Sequence, residues 1–573
     1  MTSAGTPAAT SVAGDGTRVV GAIDFGTYGT GFAWALRNDP AHTIYYEEDW
    51  PGAGSAYPKN LSALLLDERG AVVDWGYDAR RRWQAGDPAD GQLTYHEHFK
   101  MDLQPDAPTV APGLTPANPD PAQLVTLCLA RVHAAALAHI TGHARVRPDD
   151  IAWRITVPAI WQDRERQLMR AAAERAGFPA DRLELVIEPE AAAQHCWDHP
   201  AFAGIATPGS RFVVVDAGSG TVDITSYRVL GTVEEPRLAE LSRATGGKLG
   251  ASYVDAQFLG PMLQGRLGVE DRWRLTADGA VRLKLLEDWE KAKRDFDPQR
   301  RAPLNVDLPR PVIKALYSTD EPVRARLAAA QDGEDGAIVL RFDEAKALFD
   351  HAVDPMVALV GEHLTAIGPG PEPYLLLVGG FAESRYLQAR FREAFTERVA
   401  EVLIAPQPAV AVMFGAVKAG LRPSISSRIS RFTYGVGISM PFDRNRDPRD
   451  KRFRDGYRVL RCRDRFAVFV RNGESLEVDH SMSWDLSPTS PVDRYFEMPI
   501  YTCVDREPRY VDAPGCTEVG RLRIDVSSTV GRPAQDRVVR VRMIFGRTEV
   551  TVRARDLSSG RELTTAIDFV TGG

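Results

Sequence analysis

The chain has 573 residues, 44% of them hydrophobic and 26% charged, with a net charge of −7 at pH 7. That is the balance of a soluble globular protein too long for one core, and it leaves no chain-wide footprint for nucleic acid. Five cysteines, Cys128, Cys196, Cys462, Cys503 and Cys516, are odd in number and lack CxxC spacing. They argue against a disulfide framework and a zinc site and for a reducing, cytoplasmic setting.

Residues 1–17 read as a disordered tail, and no apolar run reads as long enough to cross a bilayer. Order begins at Arg18. VVGAIDFGTYGTGFAWAL predicts a strand from Val19 to Ile23, then Asp24, then a turn holding Gly26, Thr27, Gly29 and Gly31, then a second strand. Ser62 to Leu66 and Ala71 to Trp75 predict strands around a turn, with a polar helix opening at Gly76. Leu124, Leu127, Cys128, Val132 and Leu137 recur at helical spacing within Pro121 to Ile140. Ile151 to Val157 predicts a strand, Asp163 to Ala176 a helix, and Leu183 to Ile187 a strand that ends at Glu188. A carboxylate at the C-terminal end of such a strand faces the crevice where α/β sheets bind ligands; an ordinary surface Glu before a Pro turn is the alternative.

RFVVVDAGSGTVDITSY, from Arg211 to Tyr227, repeats the design of the first hairpin. An apolar β-branched run enters Asp216, and Gly218, Ser219, Gly220 and Thr221 can expose successive backbone N–H groups, which form an anion-binding concavity. An Asp at its entrance repels a bare phosphate but suits hydrated Mg²⁺, so a magnesium nucleotide is expected; a ligand-free glycine turn is the alternative. Two such hairpins at domain-scale spacing suggest similar halves facing across a cleft.

Gly246 and Gly247 lie in TGGKLG, which lacks the P-loop order but could supply a third nucleotide-facing turn. Val281 to Phe296 predicts an amphipathic helix with Glu290, Lys293 and Arg294 near its end. YLLLVGG, from Tyr374 to Gly380, predicts a buried strand running into a diglycine that lets the backbone approach a planar ligand. A helix is expected over Glu383 to Phe395 and a small-residue helix over Ala409 to Gly420. RPSISSRIS, residues 421–430 in outline, reads as a linker, and Arg431 to Phe569 as an all-β sandwich with an Asn472-Gly473 hairpin. Asp443 to Arg465 carries ten Lys or Arg against five Asp; the interleaving favours a solvated loop over a nucleic-acid patch.

IDFGTYGTG, VDAGSGTVD and LLLVGGFAES, in that order, resemble the actin-like ATPase fold and within it the heat shock protein 70 (DnaK-like) chaperones. ITVPAIWQDRERQLMRAAAERAGF followed by VIEPEAAA is similar to the family's connecting segment, and the VPAIW and GGFAES wording to its divergent member-12 branch. The resemblance implies a two-lobed α/β nucleotide-binding domain over 18–420 (lobe I about 18–205, lobe II about 206–420) and a peptide-binding β domain over 431–573. It also implies no helical lid, since the chain stops at Gly573.

The resemblance further implies ATP/ADP and Mg²⁺ as cofactors. Asp24 and Asp216 would hold the metal through water, and Gly26, Thr27, Tyr28, Gly218, Ser219, Gly220 and Thr221 would cradle the phosphates. Glu188 would order metal and water, with Asp216 and Thr221 beside it. The family's catalytic lysine is matched to Arg80. Glu290, Lys293 and Arg294 would clamp the adenosine, and Gly379, Gly380 and Phe381 would lie under the purine. The implied activity is slow Mg-dependent ATP hydrolysis coupled to binding of an unfolded peptide or client protein, with a co-chaperone or exchange factor as partner. A nucleotide switch with little turnover and an actin-fold sugar kinase are the alternatives; neither a membrane nor nucleic acid is expected as a partner.

Overall fold

A computed structural model describes residues 16–566, except 87–91, 105–118, 198, 200–201, 203, 233–234, 236, 269–278, 309, 311–312, 314–320 and 547. Most of the expected N-terminal tail and the last residues of the expected final strand lie outside the described residues. The first hairpin pairs Val19–Phe25 with Gly29–Leu36, placing Asp24 opposite Gly31. Ile151–Val157 adds to it in parallel, and Leu183–Ile187 adds to that. The second sheet repeats the scheme. Arg211–Ala217 pairs with Val222–Val229, Asp216 standing opposite Asp223, and Tyr374–Val378 and Glu401–Ile404 add in parallel. Both hairpins are closed by the same bond, Gly26 N–H to the Gly29 carbonyl at 3.2 Å and Gly218 N–H to the Thr221 carbonyl at 2.9 Å.

Two helices, Glu188–Trp197 and Ala411–Leu421, lie between the sheets. Their alanines pack with Val20, Ala22 and Ala33 of one sheet and with Val214, Leu376 and Val378 of the other. The small residues are needed there, because any Cβ on Gly415 would run into the carbonyl of Ala191. Each sheet has its own outer core. One gathers Phe25, Trp34, Trp153 and Leu185, and the other Val213, Phe258, Trp289 and Phe349. The helix Pro121–His143 is, contrary to the sequence reading, long and apolar enough to cross a bilayer by composition. Here Val125, Cys128, Leu129, Val132 and Ile140 pack against the first sheet instead.

The expected linker, residues 421–430, contains regular structure. Ile425–Ile429 is a strand that pairs in parallel with Leu238–Glu240 and antiparallel with Ser475–Glu477, which extends the second sheet into the β region. The expected Asn472-Gly473 hairpin is therefore not formed. Gly473 does turn with φ +78°, but Leu460–Val470 before it pairs with Thr433–Pro441, whereas Ser475–Glu477 after it belongs to the other sheet. The turn residues fix a reversal, and available partners decide which strands it joins.

The β region consists of two antiparallel sheets, one running Arg452–Arg454, Leu460–Val470, Thr433–Pro441, Tyr495–Cys503, Cys516–Asp525 and the other His480–Leu486, Val539–Phe545, Val550–Asp556, Glu562–Ala566. They share one apolar cluster that includes Val436, Phe469, Ile500, Val541 and Val552. Asp443 to Arg465 is partly regular, and two of its aspartates are engaged: Asp447 with Arg465 at 3.0 Å and Arg509 at 2.7 Å, and Asp455 with Arg461. This region docks on the first lobe. Arg170 grips the Glu549 carboxylate at 2.6 and 2.5 Å, Arg166 donates to the Thr548 carbonyl at 2.9 Å, and Tyr434 Oη donates to Asp163 at 2.7 Å.

Candidate functional site

The two hairpin turns meet face to face. A Cβ built on Gly220 would lie 2.7 Å from Thr27 Oγ1, so the second turn has room for the first only because position 220 is glycine. Ser62 Oγ donates to the Gly26 carbonyl at 2.6 Å, and the Ser219 carbonyl accepts from Ser252 N–H at 2.9 Å, so each turn is braced from behind. Gly246 pairs with Asp223 and Gly247 with Val222 at the flank of the second turn.

Four carboxylates are buried at this meeting point: Asp24, Glu188, Asp216 and Asp223. Asp216 and Asp223 are directly opposed across the hairpin, a like-charge pairing that costs stability unless something compensates it. Asp223 accepts from Ile160 N–H at 2.7 Å; burial raises its pKa despite that bond and one from Thr221. Burial, and then Glu188, Asp223 and Asp24, hold the Asp216 carboxyl well above the usual carboxylate range. Burial pushes Glu188 up to about 7, with Asp223 and Asp24 adding to it and Lys100 opposing.

The compensating cations are two lysines that sequence reasoning did not single out. Lys100 Nζ lies 2.7 Å from Glu188 Oε1 and Lys59 Nζ 2.8 Å from Asp24 Oδ2, both pairs largely buried. Burial opposes the charge on Lys59, but Asp24 outweighs it and the pKa is raised. Lys100 stands between Phe99 and Met101, all three buried, and a buried ammonium needs such a partner.

Arg80, matched above to the catalytic lysine, is not brought to the carboxylates. Its guanidinium donates to Tyr28 Oη at 3.3 Å and lies 3.6 Å from Glu97, which also pairs with Arg282 of the helix Gly279–Asp295 at 3.1 Å. With Gln84 donating to Glu287 at 3.0 Å, these contacts latch the first lobe to the second above the cleft.

Of the expected adenosine clamp, Lys293 is turned inward, paired with Glu290 and with Asp255 at 2.6 Å, while Arg294 is exposed. Phe381 is buried and its ring packs toward Phe349, 6.4 Å between centroids, so it stabilises the second core rather than presenting a face to a purine. Gly379 has φ +85°, and a Cβ there would strike Asp216 Oδ1 and the Ala217 carbonyl. The diglycine thus lets the end of Tyr374–Val378 close on the second hairpin.

Among the described residues no group of three or more His, Cys, Asp or Glu side chains is placed to ligate a metal ion directly, so a divalent cation on the Asp216 side would be held through water. Four carboxylates face two ammonium groups, and hard oxygen donors in excess of cations are what Mg²⁺ takes. Asp24 is less free, since Thr156 Oγ1 donates to Oδ1 at 3.2 Å and Lys59 holds Oδ2.

No family model matches the chain. Among curated proteins it is 30% identical to heat shock 70 kDa protein 12B of Homo sapiens over 647 aligned residues, covering 96% of this chain and 91% of that protein. Heat shock 70 kDa protein 12A of Homo sapiens is 28% identical over the same shares. The chaperone protein DnaK of Thermoplasma volcanium is 27% identical over 45% of this chain and 38% of its own. With the duplicated hairpin sheets facing across a carboxylate-lined cleft, these similarities show that the chain belongs to the heat shock protein 70 family, in its member-12 branch, and carries that family's actin-like ATPase fold.

Proposed function

We propose that the chain binds a magnesium nucleotide between its two glycine hairpins, hydrolyses ATP slowly, and uses its β region as a chaperone-type sandwich that binds extended peptide. The observation that carries this is the apposition of Thr27 and Gly220 above four buried carboxylates. Backbone N–H groups of 27–28 and 219–221 would cradle the phosphates in turns closed by Gly26 and Gly218, Gly246 and Gly247 would wall the cleft, and Gly380, Glu290 and Arg294 would border the base. Glu188, oriented by Lys100, would position the attacking water, and Asp216, Asp223 and Thr221 would fix the charge pattern beneath it. Mg²⁺, when bound on the Asp216 side, supplies charge to the phosphate oxygens as negative charge develops. The proposed division is a nucleotide-binding part over 18–420 and a client-binding part over 431–573, with Ile425–Ile429 joining them as a sheet strand rather than a flexible tether.

A second reading, a nucleotide switch with little turnover, draws support from Lys59: an ammonium already engages one of the carboxylates expected to hold the metal through water. Calorimetric titration with ATP and ADP, followed by single-turnover phosphate release against an Asp216→Asn background, separates the two. Binding with release above that background supports the ATPase, binding without release supports the switch, and absence of binding refutes both.

A further inference from the structure

Lys59 is built into the first hairpin. Its stem crosses the faces of Gly29 and Gly31: a Cβ on Gly31 would lie 3.1 Å from Lys59 Cγ, and one on Gly29 3.4 Å from Lys59 Cβ. A Cβ at 31 would first meet the Pro58 carbonyl at 2.7 Å and Met413 Sδ at 2.9 Å, and one at 29 the Asn60 carbonyl at 3.2 Å, so the two glycines let the whole 58–60 segment lie against the hairpin, Lys59 with it. At its tip, Nζ is 2.8 Å from Asp24 Oδ2, with the lysine side chain 16% exposed and the carboxylate 4%. The other Asp24 oxygen accepts from Thr156. A metal ion drawing on Asp24 would have to displace an ammonium held at contact distance by a buried carboxylate.

The charge count points the same way. Without Lys59 the pocket would hold Asp24, Glu188, Asp216 and Asp223 against Lys100 alone, and a polyphosphate entering without a divalent cation would meet more repulsion. An ammonium has three donors, so one ion-paired with Asp24 retains donors for a phosphate oxygen.

We infer that Lys59 is a resident cation of this cleft, which takes the polyphosphate of a nucleoside diphosphate or triphosphate on the Asp24 side, so that nucleotide binding survives removal of divalent metal. The inference rests on the nucleotide reading of the cleft and adds the source of charge to it. A lysine tethered by its own backbone is always at the site, whereas a metal ion depends on its free concentration.

The test is calorimetric titration of ADP into wild-type protein and into Lys59→Met and Lys59→Arg, each in excess EDTA and in excess Mg²⁺, with circular dichroism and melting curves to check folding. Wild type is expected to change affinity by less than about threefold between the two conditions. Loss of a charge-assisted contact should weaken Lys59→Met in EDTA by about tenfold or more, with Mg²⁺ recovering most of it. Lys59→Arg, which keeps the charge, should retain binding in EDTA. Wild-type binding that collapses in EDTA, or a folded Lys59→Met that binds there as wild type does, overturns the inference and leaves the nucleotide reading intact. Absence of ADP binding by wild-type protein in both conditions removes the nucleotide reading and this inference with it.

Discussion

Replacing Lys100 by methionine and, separately, Arg80 by methionine distinguishes the cation that serves the chemistry from the one that latches the lobes. Breaking a buried ion pair ordinarily costs about 3–5 kcal/mol, because the remaining charge is stranded. Here the stranded partner has an escape. Glu188 already titrates at about 7 with Lys100 in place, so taking up a proton at neutral pH costs less than about 1 kcal/mol. Lys100→Met should therefore lose only about 1–2 kcal/mol of stability, while a neutral Glu188 can no longer orient water as a carboxylate, lowering single-turnover hydrolysis about 10²–10³-fold. Arg80→Met leaves Glu97 paired with Arg282 and removes one of the contacts between lobes; hydrolysis should change by less than about tenfold, with a larger effect on nucleotide affinity. Thermal melts at pH 7 and quench-flow phosphate release supply both numbers. The reasoning is refuted if Arg80→Met abolishes release while Lys100→Met leaves it near wild type.

Glu240 sits at the seam between lobe and β region, accepting from Ile429 N–H at 2.7 Å, and burial raises its pKa from 4.5 to about 7. The folded state then holds an extra proton across that window, so this contribution to stability is complete below 4.5 and lost as pH rises to 7, about 3 kcal/mol at most. Wild-type stability should fall relative to Glu240→Gln over that range, and parallel curves would contradict the assignment. Glu549→Ala removes the bidentate grip of Arg170; the β region should undock by about 1–2 kcal/mol, seen as faster limited proteolysis near Ile425–Ile429. An unchanged cleavage rate would mean that the seam does not depend on this pair.

The hairpins were legible because their signal is local: β-branched runs, an aspartate and glycines within a dozen residues. Glu188 was legible for a similar reason, lying at the end of a buried strand. Lys100 was not, because its partner is 88 residues away and nothing beside it in the chain announces a carboxylate. Arg80 was chosen from its order in the motif series, and only the fold separates it from Lys100, since both follow short strands of the same three-stranded sheet. The strand Ile425–Ile429 was hidden for another reason. Its two serines and its arginine have weak strand preference, and what makes it a strand is pairing on both sides with Leu238–Glu240 and Ser475–Glu477. Phe381 follows the diglycine as a purine-facing residue would, yet its bulk and apolarity are satisfied in the core beside Phe349.

The central claim, that the space between the hairpins holds a nucleotide, is tested most directly by titrating ADP with Mg²⁺ into wild-type protein and Gly220→Val. A side chain at 220 has Thr27 Oγ1 at 2.7 Å and Met101 Sδ at the same distance, so the variant must part the turns. Wild type should bind one nucleotide per chain, and Gly220→Val, checked for native circular dichroism, should lose at least about tenfold in affinity. A folded Gly220→Val that binds ADP as wild type does, or a wild type that takes up none, contradicts the account.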